Sequence, residues 1–323
     1  MSNETTSGAA PSERARSSSG RKEGSRRDRG LINPAVSRPT SWWLATLRRR
    51  AAAMYEEPVA DLKQKVEFSS AAEQRACIAF FNAAYRAEES GLQQAHRLAQ
   101  RFERTDPELA ECLVLYGNEE GWHRELLTEF LAHIGGEIRP MGRVTGTFYN
   151  TYDRAEHMES IMLTNLMFET IGATTYRLAL GRVRQPAIRA MLTILTRDES
   201  FHVPLNVHFV REILRREPGL ATKLRLRATY YSVFGALILS SWASRRVAAD
   251  FDHISFRELS TAYVENLGRL FAQSPDLDLK PPRPLLRLFG LGDEAMRREG
   301  SLPITAEAAE RAADRSRVQV SAL

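Results

Sequence analysis

Two segments pair a carboxylate with an imidazole three residues downstream: Glu120-Gly121-Trp122-His123 and Glu199-Ser200-Phe201-His202. Residues three apart share a helix face, so each pair could grip one metal ion. The motif alone carries little weight, because seven histidines among 29 glutamates would meet it by chance often enough. Its placement carries more. Glu120 lies about fifteen residues beyond the turn Thr105-Asp106-Pro107, and Glu199 about as far beyond the turn before Pro186. Glu169 lies about fifteen residues before that second turn. Glu88 and Glu89 precede the first turn by about seventeen and sixteen. Four helices would therefore bring carboxylates to one level.

Carboxylates gathered in a helical core repel one another and lose hydration unless cations neutralise them. Four Glu and two neutral His around two divalent ions make a charge-balanced site suited to iron or manganese. The candidate ligands are Glu120, His123, Glu169, Glu199 and His202, with Glu88, preferred over Glu89, as the sixth. Glu88 shares an apolar register with Phe81, Tyr85, Leu92 and Ala95, and Gly91 follows it as Gly172 follows Glu169. Glu89 instead aligns His96-Arg97-Leu98-Ala99 with Tyr176-Arg177-Leu178-Ala179. A ligating imidazole usually gives its other N–H to a carboxylate. Asp198 is placed to do this for His123 and Glu119 for His202; the competing reading of both is a solvated face. Tyr85, Trp122 and Tyr176 fall within a turn or two of the ligands, as core, shield or electron route. His96, His133, His157, His208 and His253 have no glutamate three residues before them and read as ordinary histidines.

The elements that must hold these residues are helices. A capping box at Ser70 and Glu73 opens a helix to about residue 104. Asp106-Pro107 opens a second, ending at Gly135-Gly136. A Gly-, Pro- and Thr-rich connection over about 137–152 reads as a loop, and Asp153 with Glu156 as the start of the third helix. A fourth begins at Pro186, a fifth spans about 221–249, and Ser255 with Glu258 caps a sixth. The division is a disordered basic tail (1–39), short N-terminal helical segments (40–66), a metal-binding core (67–219), and accessory helices with a Pro-rich end (220–323). A short helix is expected after Thr305. The fold class is all-α: two long hairpins joined by one long crossover match a ferritin-like four-helix bundle with additional C-terminal helices.

The run Glu120-Gly121-Trp122-His123-Arg124-Glu125-Leu126-Leu127, with Asp198-Glu199-Ser200-Phe201-His202, resembles the second and fourth helices of soluble acyl-carrier desaturases and related di-iron oxygenases. The similarity of pattern covers residues 70–217. It implies a di-iron site that activates dioxygen, with manganese or a mixed manganese–iron pair as alternatives. It also implies an organic substrate, small or carrier-bound, and an electron donor such as a ferredoxin or reductase. Those proteins often carry threonine one turn after the third-helix ligand, where Gly172 and Ala173 stand here. That departure argues against desaturation itself, leaving hydroxylation or N-oxygenation beside it. Ribonucleotide reductase radical subunits fit less well, having Asp at the first ligand position.

Composition narrows the classes. Net charge is +5, but residues 1–52 hold +7 and the rest −2, so the basic character belongs to a tail and no specific nucleic-acid partner is expected. Arg48-Arg49-Arg50 beside Trp42-Trp43 reads as a docking element, onto the helical body or onto a membrane surface. Cys77 and Cys112 cannot build a disulfide framework, and both are expected reduced and buried. Residues 228–243 form an apolar stretch broken by Ser232 and Gly235, short of the ~20 residues needed to span, and read as a buried helix. No apolar run precedes Arg50, so no secretory signal peptide is expected, and the expectation is a cytoplasmic enzyme able to form a homodimer. The competing functions are a ferritin- or rubrerythrin-like iron-oxidising or peroxide-detoxifying protein, and a metal-free helical scaffold whose tail binds polyanions.

Overall fold

A computed structural model describes residues 38–54 and 60–288; the basic tail, the segment after Met54 and the chain beyond Leu288, including the helix expected after Thr305, lie outside the described residues. Among the described residues there are nine α-helices, two short 3-10 turns and no strand. They are α1 (Thr40–Met54), α2 (Ala71–Phe102), α3 (Pro107–His133), α4 (Arg143–Asp153), α5 (Met158–Leu180), α6 (Pro186–Arg216), α7 (Leu220–Asp252), α8 (Phe256–Ala272) and α9 (Arg283–Leu288).

Local signals set the ends of the long helices. Ser70 caps α2, its side chain accepting from the Glu73 N–H, while the Glu73 carboxylate accepts from Ser69. Asp106 caps α3 by accepting from the Leu109 N–H, with Pro107 at the first helical position. Gly135 ends α3 at φ +76°, a left-handed conformation that a Cβ would strain. Ser255 caps α8 as expected. The crossover departs from expectation: residues 143–153 are helical, and Asp153 closes α4 instead of opening α5, which starts after His157. Phe148, Tyr149 and Tyr152 explain this, since helical spacing lets all three rings close on Phe168 of α5, at 5.6–6.0 Å.

α2 pairs with α3 and α5 with α6 through short turns, giving two antiparallel hairpins. α1 lies on α3, and its Trp43 packs against Phe201 and His208 of α6. α7 crosses α2 and α5, burying Tyr230 and Phe234, while α8 packs on α5 and α7. The apolar stretch in α7 is only half buried, since Tyr231, Leu239 and Trp242 are exposed. No described helix is long and apolar enough to cross a membrane. Cys77 and Cys112 are buried free thiols, and burial pushes Cys112 up to about 12.

Asp106 joins the α2–α3 turn to the end of α6 through an ion pair with Arg216 as well as its cap. Replacing it by Ala should cost about 1–2 kcal/mol. Urea unfolding of Asp106→Ala reads this directly, and an unchanged midpoint would refute the cap's role.

Candidate metal centre

The centre forms where α2, α3, α5 and α6 turn carboxylates toward one another. Two sets of side chains could each hold a metal ion: Glu88, Glu120, His123 and Glu199, and Glu120, Glu169 and His202. Every one of these residues is buried. Glu120 belongs to both sets, as a carboxylate between two ions would. The structure places Glu88 in the cluster, with Oε2 3.2 Å from His123 Nδ1. Glu89 points away and pairs with Arg86 at 2.6 Å. Adjacent helical residues diverge by about 100°, so only one of the two can face the site.

Both imidazoles are held the same way round. His202 Nδ1 looks into the cluster, 3.1, 3.5 and 3.7 Å from oxygens of Glu120, Glu169 and Glu199. Its Nε2 meets Glu119 at 2.9 Å. His123 likewise presents Nδ1 to Glu88 and Nε2 to Asp198, the latter at 3.1 Å. The pairings expected for Glu119 and Asp198 are thus the contacts formed.

Sequence reasoning missed what holds those outer carboxylates. Arg50 of α1 is 1 % exposed and reaches between α3 and α6. Its Nε and Nη2 each lie 2.8 Å from a Glu119 oxygen, Nη2 is 3.1 Å from Asp198, and the guanidinium stacks 4.1 Å over Phe201. Arg197 grips the same Asp198 at 2.9 Å. The signal was present: Trp43, Leu47, Arg50 and Met54 fall on one face of α1, so Arg50 stands in an apolar register. Of the arginine triplet beside Trp42 and Trp43, one member therefore enters the helical body; Arg48 pairs with Glu111 at the surface.

Tyr116 was also missed. Its hydroxyl donates to Glu169, and its ring meets His202 edge-on at 4.9 Å. It lies one turn before Glu120, hence on the same face. Of the aromatics expected near the site, Tyr176 donates weakly to Glu88 at 3.4 Å and Trp122 flanks the His123 ring, whereas Tyr85 turns toward Glu89. Of the other histidines, His96, His133 and His208 bond to Asn118, Gln64 and Thr40, while His157 and His253 cap helix ends.

Space matters at Gly91, where a Cβ would lie 3.3 Å from the Glu120 carboxyl carbon. At Gly172 a Cβ would make ordinary contact with Tyr176 and Glu199. A cavity of about 20 Å³, room for one water-sized molecule, opens beside Glu88, Glu120, Glu169 and Glu199. Phe168 and Tyr176 wall it.

The electrostatics divide the acids into two groups. Burial and the neighbouring carboxylates push Glu120 and Glu199 well above the ordinary carboxylate range. Burial would also raise Glu88, but hydrogen bonds from Glu120 and His123 pull it down to about 2. Glu169 is lowered, against its burial, by its hydrogen bond with Glu199 and the charge of His202. Burial disfavours a charged imidazole, yet Asp198 and Glu88 raise His123, and Glu120 and Glu169 raise His202 well above 6.5. Glu119, with Arg50 and His202 beside it, is held at about 2 despite burial.

The residues fit a metal pair. Buried Glu120 Oε1 and Glu199 Oε2 crowd His202 Nδ1 in the cluster, at 3.1 and 3.7 Å from the imidazole nitrogen, without a well-directed hydrogen bond among the three. A buried polar atom left unpaired is costly unless something else occupies it. Comparisons with protein-family models, curated proteins and solved structures give no match to this chain.

Arg50→Ala would leave buried Glu119 without its cation, Asp198 keeping Arg197, and should destabilise the fold by about 3–5 kcal/mol, read by denaturant unfolding. A loss below about 1 kcal/mol, the range of an exposed pair, would show that the contact is not closed to solvent. The pH dependence follows from the raised groups. Each of Glu120, Glu199, His123 and His202 stabilises the metal-free fold below its unfolded pKa, and that contribution is lost as pH rises through the folded one. The unfolding temperature of metal-free protein should therefore fall as pH climbs above about 6.5, the ordinary imidazole value. A rise over that range would contradict the buried charge arrangement.

Proposed function

We propose that α2, α3, α5 and α6 form a ferritin-like four-helix bundle holding two iron ions, and that the protein is an O2-dependent di-iron oxidoreductase acting on an organic substrate. Glu88, Glu120, His123, Glu169, Glu199 and His202 would hold the pair, with manganese as the alternative metal. Bound there, iron would supply dioxygen activation.

One observation carries the reading. Two overlapping sets of buried ligand atoms share Glu120, and around them Glu120, Glu199, His123 and His202 are shifted toward their protonated forms while Glu88 and Glu169 are shifted toward their ionised forms. Two divalent ions would displace such protons and balance the four glutamates, which an arrangement serving only to stabilise the fold would not require.

The chain's own groups supply the rest. Glu119 and Asp198 accept from the Nε2 sides of His202 and His123, so each Nδ1 lone pair faces inward once its proton leaves. Tyr116 remains protonated, because burial and nearby carboxylates raise its phenol well above 10, and it steadies one Glu169 oxygen. The small cavity matches a diatomic gas in size. An organic substrate would enter past Phe168 and the α4 rings around it.

Metal analysis of protein loaded anaerobically with ferrous iron should give two ions per chain, and titration in buffers of different ionisation enthalpy should show protons released as metal binds. Exposure of the reduced protein to oxygen should then change its optical spectrum. Glu120→Ala and His202→Ala should each abolish two-metal binding while leaving helix content intact. Full metal retention in both would sink the site assignment, and hundreds of ions per assembly would favour iron storage.

A further inference from the structure

α7 carries an apolar face that nothing in the described residues covers. Leu220, Tyr231 and Trp242 are 74 %, 46 % and 63 % exposed and recur every eleven residues. Eleven residues are three helical turns, so the three align along roughly 33 Å of helix. Leu224 and Leu239 widen the stripe and are also exposed. Contiguous apolar patches of this extent on a soluble surface mark interaction sites.

The spacing of the stripe is nearly palindromic. About a point between Tyr231 and Ser232, Leu224 mirrors Leu239 and Ala228 mirrors Gly235, while Leu220 and Trp242 at the two ends fall one residue out of register. A helix face that reads alike in both directions is self-complementary under an antiparallel two-fold. We propose that this face of α7 docks against the same face of a second copy, the two helices antiparallel. Leucine then meets leucine, and the small Ala228 and Gly235 leave room for the Tyr231 rings at the axis.

Charge supports a second copy over an anionic lipid surface. The face bears Lys223, Arg227 and Arg246 and no acidic residue before Asp250, but Arg227 is committed to Asp278. Lipid binding by electrostatics requires more free basic residues than remain. The two-fold instead sets Lys223 against Ser240, Arg227 against Ala236, and Arg246 at the level of Glu217. No basic residue faces another. One helix pair is a small interface, so the dimer is reversible and concentration-dependent.

Sedimentation velocity of the full chain from low to high micromolar should show mass rising toward twice that of the chain. Trp242→Glu should raise the dimer dissociation constant at least tenfold with helix content and unfolding temperature unchanged. Mild copper–phenanthroline oxidation should cross-link Ser232→Cys to itself but not Leu220→Cys, whose copies would lie about 33 Å apart. The native thiols are buried, and the unmodified chain controls for them. The proposal is overturned by a monomer at every concentration, by a dimer indifferent to Trp242→Glu, or by equal cross-linking at both positions. A monomer that sediments with phosphatidylserine vesicles through Trp242 would equally overturn it.

Discussion

The structure is organised around one electrostatic problem: six carboxyl groups, on Glu88, Glu119, Glu120, Glu169, Asp198 and Glu199, lie buried within one cluster. Their mutual repulsion in a poorly solvated interior far exceeds what packing around them could offset. The fold meets this at two radii. Inside, carboxyls share protons with each other and with two imidazoles. Outside, Arg50 and Arg197 neutralise Glu119 and Asp198.

That outer neutralisation makes α1 part of the site. Trp43 and Leu47 bury its apolar side, and their register carries Arg50 inward on the same face. A helix outside the two hairpins thus fixes the ligands within them: Arg50 orients Glu119 and Asp198, and those orient His202 and His123. Loss of α1 docking would loosen His202 before His123, because Asp198 keeps Arg197.

Much of this was readable in the chain. The two Glu-x-x-His pairs, Glu169 and the common level of all four helices followed from helical repeat and turn positions alone. Glu88 and Glu89 could not be separated by periodicity, since a phase error of one residue over a 32-residue helix exchanges them. The outer carboxylates were legible because an imidazole with one ring nitrogen on metal leaves the other needing an acceptor. Arg50 was not, because a triplet of arginines next to a basic tail reads as surface unless its register with Trp43 is weighed first. The α4 helix escaped for a different reason. Its Gly146 and its threonines lower helix propensity, and three aromatic rings closing on Phe168 override that local preference.

Were metal bound as proposed, the orientation of the two imidazoles would let one fold tolerate both the empty and the filled state. In each, Nε2 is fixed on an outer carboxylate whether or not Nδ1 carries a proton. Gaining or losing the inner proton therefore requires no ring flip and breaks no outer hydrogen bond. Gly91 serves the same end, since any side chain there would crowd Glu120, the carboxylate common to both ligand sets. Freedom is kept on the inner carboxylates, which must change partners, and withheld from the histidines, which must not.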